Sequence, residues 1–299
     1  MKHWINKYLK ASIKVLIPKK ILLKYRQYKL KKESHMRLKK RETLYLGIHL
    51  VDHCNLNCIG CDNFSCIADE KYHSVQTLEN DFKRIYELAK GRISLISLLG
   101  GEPLLHPELL TILNNAGKYF SGVDLRIVTN GILLLKQENI FWETCRNNNI
   151  KVLITKYPIN LPFDKIEKRA KIHGTILQYK NDTEILAKRM HKIPLNLFGT
   201  ENINESYEFC YKSNTCMILD EGKIYTCATI PYIKYFNKQF GTNVEVSEKD
   251  YIDIYSIKNV EEIFDFLIKP VPFCRYCNTK APVYDIKWDI SKKQISEWI

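Results

Sequence analysis

From residue 44 to about residue 200, short apolar runs alternate with longer amphipathic ones, and this alternation restricts the chain to few folds. Strands are predicted at Leu44–Val51, Ile93–Leu99, Asp124–Thr129, Lys151–Thr155 and Thr175–Tyr179. Helices are predicted between them at Val75–Lys90, Pro107–Tyr119, Gln137–Asn147 and Asp164–Ile172. A strand that passes through a helix and returns as a strand builds right-handed parallel βαβ units. About five or six of them predict an α/β fold, a partial (β/α) barrel, with chemistry at the C-terminal ends of its strands. At 299 residues, 45% apolar and 26% charged, the chain can bury such a core. No apolar run approaches the ~20 residues that span a bilayer. The N-terminus also lacks an apolar stretch with a cleavage site, so a cytoplasmic protein is expected.

Charge lies outside the alternating region. The formal net charge is +13, and residues 1–42 carry all of it, with 15 Lys and Arg against Glu33 and Glu42. In this segment Ile5, Tyr8, Leu9, Ile13 and Leu16 recur at helical spacing, and after Pro18 the pattern resumes at Ile21, Leu22, Tyr25 and Tyr28. A basic amphipathic helix of this kind reads as a contact with an anionic membrane surface, which would place the protein peripherally at the inner membrane face. The alternative is a helix packed on its own body. Nucleic acid is the weaker partner, because the neutral remainder offers no basic groove.

Ten cysteines in a reducing compartment read as metal ligands or free thiols. Cys145 stands alone in a predicted helix and reads as a buried small hydrophobe. Cys54, Cys58 and Cys61 have C-x3-C-x2-C spacing in the loop that directly follows the first strand. Three thiolates on one short loop can hold one corner of an iron–sulfur cubane and leave one iron open, as catalysis at a metal requires. The alternative is a zinc loop completed by His53 or Cys66. Gly100-Gly101-Glu102-Pro103 follows the second strand. Its glycines let the backbone approach a ligand, and Glu102 can accept from an ammonium group. Thr129-Asn130-Gly131 closes the third strand, where an Asn-Gly turn is the plain alternative. Thr155, Lys156 and Tyr157 end the fourth, and only their position directs them to a pocket.

The cysteine loop and the Gly-Gly-Glu-Pro segment together resemble the radical S-adenosylmethionine (SAM) superfamily. The resemblance implies that Cys54, Cys58 and Cys61 bind a catalytic [4Fe-4S] cluster. It implies that Gly100, Gly101 and Glu102 hold the SAM amino group, with Thr129 and Asn130 near the ribose. One electron, from a donor such as flavodoxin or ferredoxin, would then cleave SAM to methionine and a 5′-deoxyadenosyl radical that abstracts a substrate hydrogen. The chain departs from the pattern at Gly60, where an aromatic residue is usual; Phe64 is the expected substitute over the cluster.

Further on, Met217–Leu219 and Lys223–Thr226 read as a β-hairpin turning at Gly222. Cys210, Cys216, Cys227, Cys274 and Cys277 surround it. The arrangement is similar to the truncated auxiliary-cluster (twitch, SPASM-like) domain found after some radical SAM barrels. It implies a second [4Fe-4S] cluster with four of these five thiolates; Cys210 and Cys216 compete for one place, and zinc is the alternative. The expected organisation is a basic segment at 1–43, the barrel at 44–204 and a small α+β cysteine-rich domain at 205–299. The tail from Trp288 to Trp298 resembles radical SAM proteins encoded with cell-envelope polysaccharide genes. The expected substrate is therefore a sugar or lipid-linked glycan. A peptide maturase and a non-catalytic iron–sulfur electron carrier are the alternatives.

Overall fold

A computed structural model describes residues 21, 24–25, 28–29, 41–180, 189–215 and 217–299. Cys216 and most of the basic segment lie outside the described residues. The barrel half follows the expected order: β1 (Leu44–Val51), α1 (Val75–Ala89), β2 (Ile93–Gly100), α2 (Leu109–Tyr119), β3 (Asp124–Thr129), α3 (Asn139–Asn147), β4 (Lys151–Thr155), α4 (Phe163–His173) and β5 (Leu177–Lys180). The five strands are parallel, each paired with its sequence neighbour.

Two periodicities build this half. Alternate residues of the strands, among them Leu46, Ile48, Ile96, Leu98, Leu125, Ile127, Val152 and Ile154, are buried under the helices. The residues between them, including Tyr45, Leu95, Ser97, Arg126, Val128 and Leu153, line the concave side. On α1 the buried residues Leu78, Phe82, Ile85 and Leu88 recur at helical spacing and face that sheet. Phe82 meets Phe120 edge-on at 5.4 Å; truncating such a fully buried ring costs about 3–5 kcal/mol.

The remaining elements are β6 (Arg189–Lys192), α5 (Ile203–Phe209), β7 (Ile218–Asp220), β8 (Lys223–Tyr225), α6 (Thr229–Phe240), β9 (Tyr251–Asp253), α7 (Val260–Leu267) and β10 (Val283–Lys287). The predicted hairpin forms as β7–β8, with Glu221 and Gly222 both at positive φ in its turn. β7 also pairs in parallel with β1, through Gly47–Ile218 and Ile48–Leu219. One eight-stranded sheet results, in the order β5-β4-β3-β2-β1-β7-β8-β9. It crosses the boundary expected at residue 204, because β1 has a free edge that an incomplete barrel leaves for another strand. α7 likewise packs into the barrel's outer core through Ile263, Phe264 and Leu267. A smaller core gathers Phe64, Tyr232, Phe236, Phe273 and Trp298. β6 leaves the main sheet and pairs antiparallel with β10. Among the described residues, no helix is long and apolar enough to cross a membrane.

Candidate active site

Strand ends place the predicted residues around one cavity. Cys54, Cys58, Cys61, Gly100, Gly101, Thr129 and Asn130 line a space of about 450 Å³, with Thr155 and Tyr157 across from them. This space shares Leu99, Val128 and Lys180 with the lumen of the barrel, a further 820 Å³ lined by Tyr45, Ser94, Ser97, Arg126, Gln178 and Tyr179 among others. The thiols therefore stand at the mouth of a channel lined by both polar and apolar side chains.

The glycines act first on the protein's own backbone. A Cβ on Gly100 would lie 2.2 Å from the Val51 carbonyl oxygen, and one on Gly101 would lie 1.9 Å from that of His53. Their absence lets Gly101 donate to Val51 O at 2.7 Å and Glu102 N to His53 O at 3.1 Å. The cysteine loop is thereby tied to the end of β2. The Glu102 side chain has partners within the protein itself. Its carboxylate is fully buried and accepts from Thr129 Oγ1 at 2.7 Å, Asn130 N at 2.9 Å and Leu104 N at 3.1 Å. Burial pushes its pKa up to about 7 against those three donors. Glu102 thus braces β3 against β2, and what this segment presents to the cavity is the backbone of Gly100 and Gly101. Asn130 reaches the loop itself: its Nδ2 donates to Asn55 Oδ1 at 2.7 Å and lies 3.8 Å from Cys54 Sγ.

A second brace holds the start of the loop. Asp52 is 1% exposed; one oxygen meets His73 Nε2 at 2.9 Å and the other accepts from the Tyr235 hydroxyl. Burial raises its pKa, yet the hydrogen bonds and the charge of His73 outweigh that and hold it at about 2. Nearby His49 is stacked on Tyr232 at 4.3 Å, and burial lowers its pKa to about 3, so it is neutral.

The largest departure from the sequence reading is the C-terminal tail. Ile59 N donates to Asp289 O at 2.9 Å and Ser291 N to Asn57 O at 2.8 Å, and Cys58 bridges to Ile290. The indole of Trp288 donates to Cys58 Sγ at 3.1 Å, and that of Trp298 donates to Cys61 O at 3.0 Å. Gly60 N donates to Glu297 Oε2 at 3.3 Å. Phe64, expected over the cluster, instead packs on Phe236 and Trp298 in the smaller core. A left-handed backbone at Phe64 (φ 55°) turns it there. The aromatic side chains beside Cys58 are Trp288 and Tyr157, which also hydrogen-bonds Cys58. Local spacing holds no signal for Trp288.

Chemistry of the donor set tests whether an iron–sulfur cluster fits. Burial pushes Cys54 up to about 11 and Cys61 to about 12, so each keeps its proton unless a metal displaces it. Three loop thiols, amide donors to sulfur from Leu56, Asn63 and Ser65, and an open side towards the channel suit the group. Cys66 lines the same cavity at 4% exposure. Among the described residues no three His, Cys, Asp or Glu side chains close on a point suited to a single ion. Cys145 is fully buried, as its predicted structural role requires.

A separate group of thiols lies behind the loop. Cys210, Cys227 and Cys277, all half-buried, line a small space of about 30 Å³ with Lys212. Burial pushes Cys227 up to about 11 and Cys274 to about 12, and it raises Cys277 as well; Lys212 opposes the rise at Cys227 and Cys277, and Cys210 adds to all three. Lys212 forms an ion pair with Asp62, beside Cys61, at 2.6 Å.

Parts of this chain are similar to known proteins. Residues 48–152 match the model of the Radical SAM superfamily. The chain is 26% identical over 260 residues to the GTP 3',8-cyclase of Clostridium botulinum (strain Okra / Type B1), spanning 80% of this chain and 77% of that one. It is 31% identical over 166 residues to the GTP 3',8-cyclase of Clostridium perfringens (strain 13 / Type A), covering 49% of this chain and half of that protein. Among solved structures, BtrN in complex with AdoMet and 2-DOIA aligns with a TM-score of 0.44 at 16% identity, over 80% of this chain and 94% of that one.

Proposed function

We propose that this chain, whose residues 48–152 match the Radical SAM superfamily, works as a radical SAM enzyme in which Cys54, Cys58 and Cys61 ligate the catalytic [4Fe-4S] cluster. When bound, that cluster would supply the electron that cleaves SAM, giving a 5′-deoxyadenosyl radical for hydrogen abstraction from substrate. The backbone of Gly100 and Gly101 and the side chains of Thr129 and Asn130 orient SAM. Glu102 holds those two strand ends together. The observation that carries the reading is that all three loop thiols open on one cavity continuous with the barrel lumen.

Ser94, Ser97, Tyr45, Tyr179, Gln178 and Arg126 line that lumen together with apolar residues such as Leu95 and Leu153. Such a lining suits a polyhydroxylated small molecule, so a sugar or lipid-linked glycan is the proposed substrate class. A nucleoside triphosphate is the second reading, favoured by the named activity of the relatives. Cys210, Cys227, Cys274 and Cys277 are proposed to hold an auxiliary [4Fe-4S] cluster, supported by their mutual proximity and burial. The exposed Ile21, Tyr25 and Tyr28 recur along one helical face and support contact of the basic segment with anionic lipid. Deleting residues 1–42 would then release the protein from anionic vesicles.

Anaerobically reconstituted protein, reduced with dithionite and given deuterium-labelled SAM, tests the central reading. Formation of 5′-deoxyadenosine is expected, with label exchanged into a sugar substrate or GTP according to class. Reconstituted iron–sulfur protein that leaves SAM intact overturns the reading.

A further inference from the structure

Of the three loop cysteines, Cys58 has the most distinctive surroundings. The sulfur of Cys54 accepts from the Leu56 amide at 3.4 Å and, more distantly, from Asn130 Nδ2 at 3.8 Å, and that of Cys61 accepts from the nearby Asn63 and Ser65 amides. Cys58 instead receives two side-chain donors from remote parts of the chain. One is the Trp288 indole N–H, 230 residues away, at 3.1 Å. The other is the hydroxyl of Tyr157, which follows β4. The two rings lie 5.9 Å apart, so together they form a cap on this sulfur.

The indole is aimed by backbone register. Asp289 and Ser291 hydrogen-bond Ile59 and Asn57 through main-chain atoms, which leaves little freedom for Trp288 between tail and loop. At Gly60, with φ +57°, a Cβ would meet Glu297 O at 3.1 Å, so the tail already occupies the space over that side of the loop. A hydrogen bond to a ligand sulfur stabilises the more negative, reduced form of an iron–sulfur group and so raises its potential.

We propose that Trp288 is a positioning residue for the catalytic cluster: its indole N–H, together with the Tyr157 hydroxyl, donates to the Cys58 sulfur and holds the reduction potential less negative than the thiolates alone would set it. The proposal rests on ligation of the cluster by Cys54, Cys58 and Cys61. Trp288→Phe keeps an aromatic ring and removes the donor.

EPR-monitored redox titration of reconstituted protein, following the signal that SAM perturbs, supplies the test. Trp288→Phe is expected to keep its iron and to titrate at a more negative potential; Tyr157→Phe shifts in the same direction. Trp298→Phe, whose indole serves the Cys61 carbonyl, is expected to titrate with the wild type. Full-length protein labelled with indole-15N tryptophan should show 15N hyperfine coupling in the reduced state, retained in Trp298→Phe. An unshifted potential in iron-replete Trp288→Phe overturns the proposal, as does an equal shift in Trp298→Phe. Where Trp288→Phe does not assemble a cluster, the labelled wild type decides, and absence of 15N coupling overturns the proposal. A wild type with no SAM-responsive signal refutes the cluster assignment itself, before any variant is compared.

Discussion

The two thiol groups of this chain are built in opposite ways. Cys54, Cys58 and Cys61 come from eight consecutive residues and face a cavity of about 450 Å³. Cys210, Cys227, Cys274 and Cys277 come from segments up to 67 residues apart, and three of them surround only about 30 Å³. A local set with an open side can bind a metal group and still admit a substrate; a set of four drawn from distant segments around a small space is suited to holding one. The first set needs bracing from outside, since a short loop cannot fix its own geometry. The second is part of the packing that brings its segments together. The Lys212–Asp62 ion pair joins the two.

The strongest way to break this comparison is to remove one thiol from each group. Cys58→Ala is expected to reduce 5′-deoxyadenosine formation to background, whereas Cys277→Ala should retain cleavage of SAM in the absence of substrate. Equal loss in both variants would show that the groups act as one site. Iron analysis sharpens the same contrast. The triple Cys54/Cys58/Cys61→Ala variant should keep about half of the iron of a protein with two cubanes. A variant that keeps none and takes up zinc removes the auxiliary-cluster assignment.

Smaller effects probe the bracing. Asp52 is held near 2 in the folded chain, below its ordinary 3.8, so it contributes stability that is present above the unfolded value and lost as pH falls through 2. That difference corresponds to on the order of 2 kcal/mol at neutral pH. Asp52→Asn should therefore be less stable than wild type by about that amount in urea at pH 7. The gap should close as pH is lowered from about 4 towards 2; a gap independent of pH would contradict the role given to the His73 pairing. Gly60→Ala should cost about 1–2 kcal/mol, because an alanine must adopt φ +57° and press on Glu297 O. No loss of thermal stability in that variant would mean that the tail clamp yields freely.

Much of the barrel half is legible in the amino-acid order, and the reason is range. Leu46, Ile48 and Leu50 alternate along β1, and Leu78, Phe82 and Ile85 repeat along α1, so each element states its buried face within a few residues. The C-x3-C-x2-C spacing and the two glycines at the end of β2 are equally local, and they carry the family resemblance on which the proposed cluster site rests. Tertiary structure alone decides what closes around that site. No local pattern says that β7 will take the free edge of β1, that Glu102 will spend its oxygens on Thr129 and Asn130, or that Trp288 will reach Cys58. Each of these depends on hydrogen-bonding groups left open by one segment and satisfied by another far along the chain. Periodicity and spacing cannot encode such a pairing; only the folded backbone, by bringing the two ends of the sequence to the same sulfur, can select it.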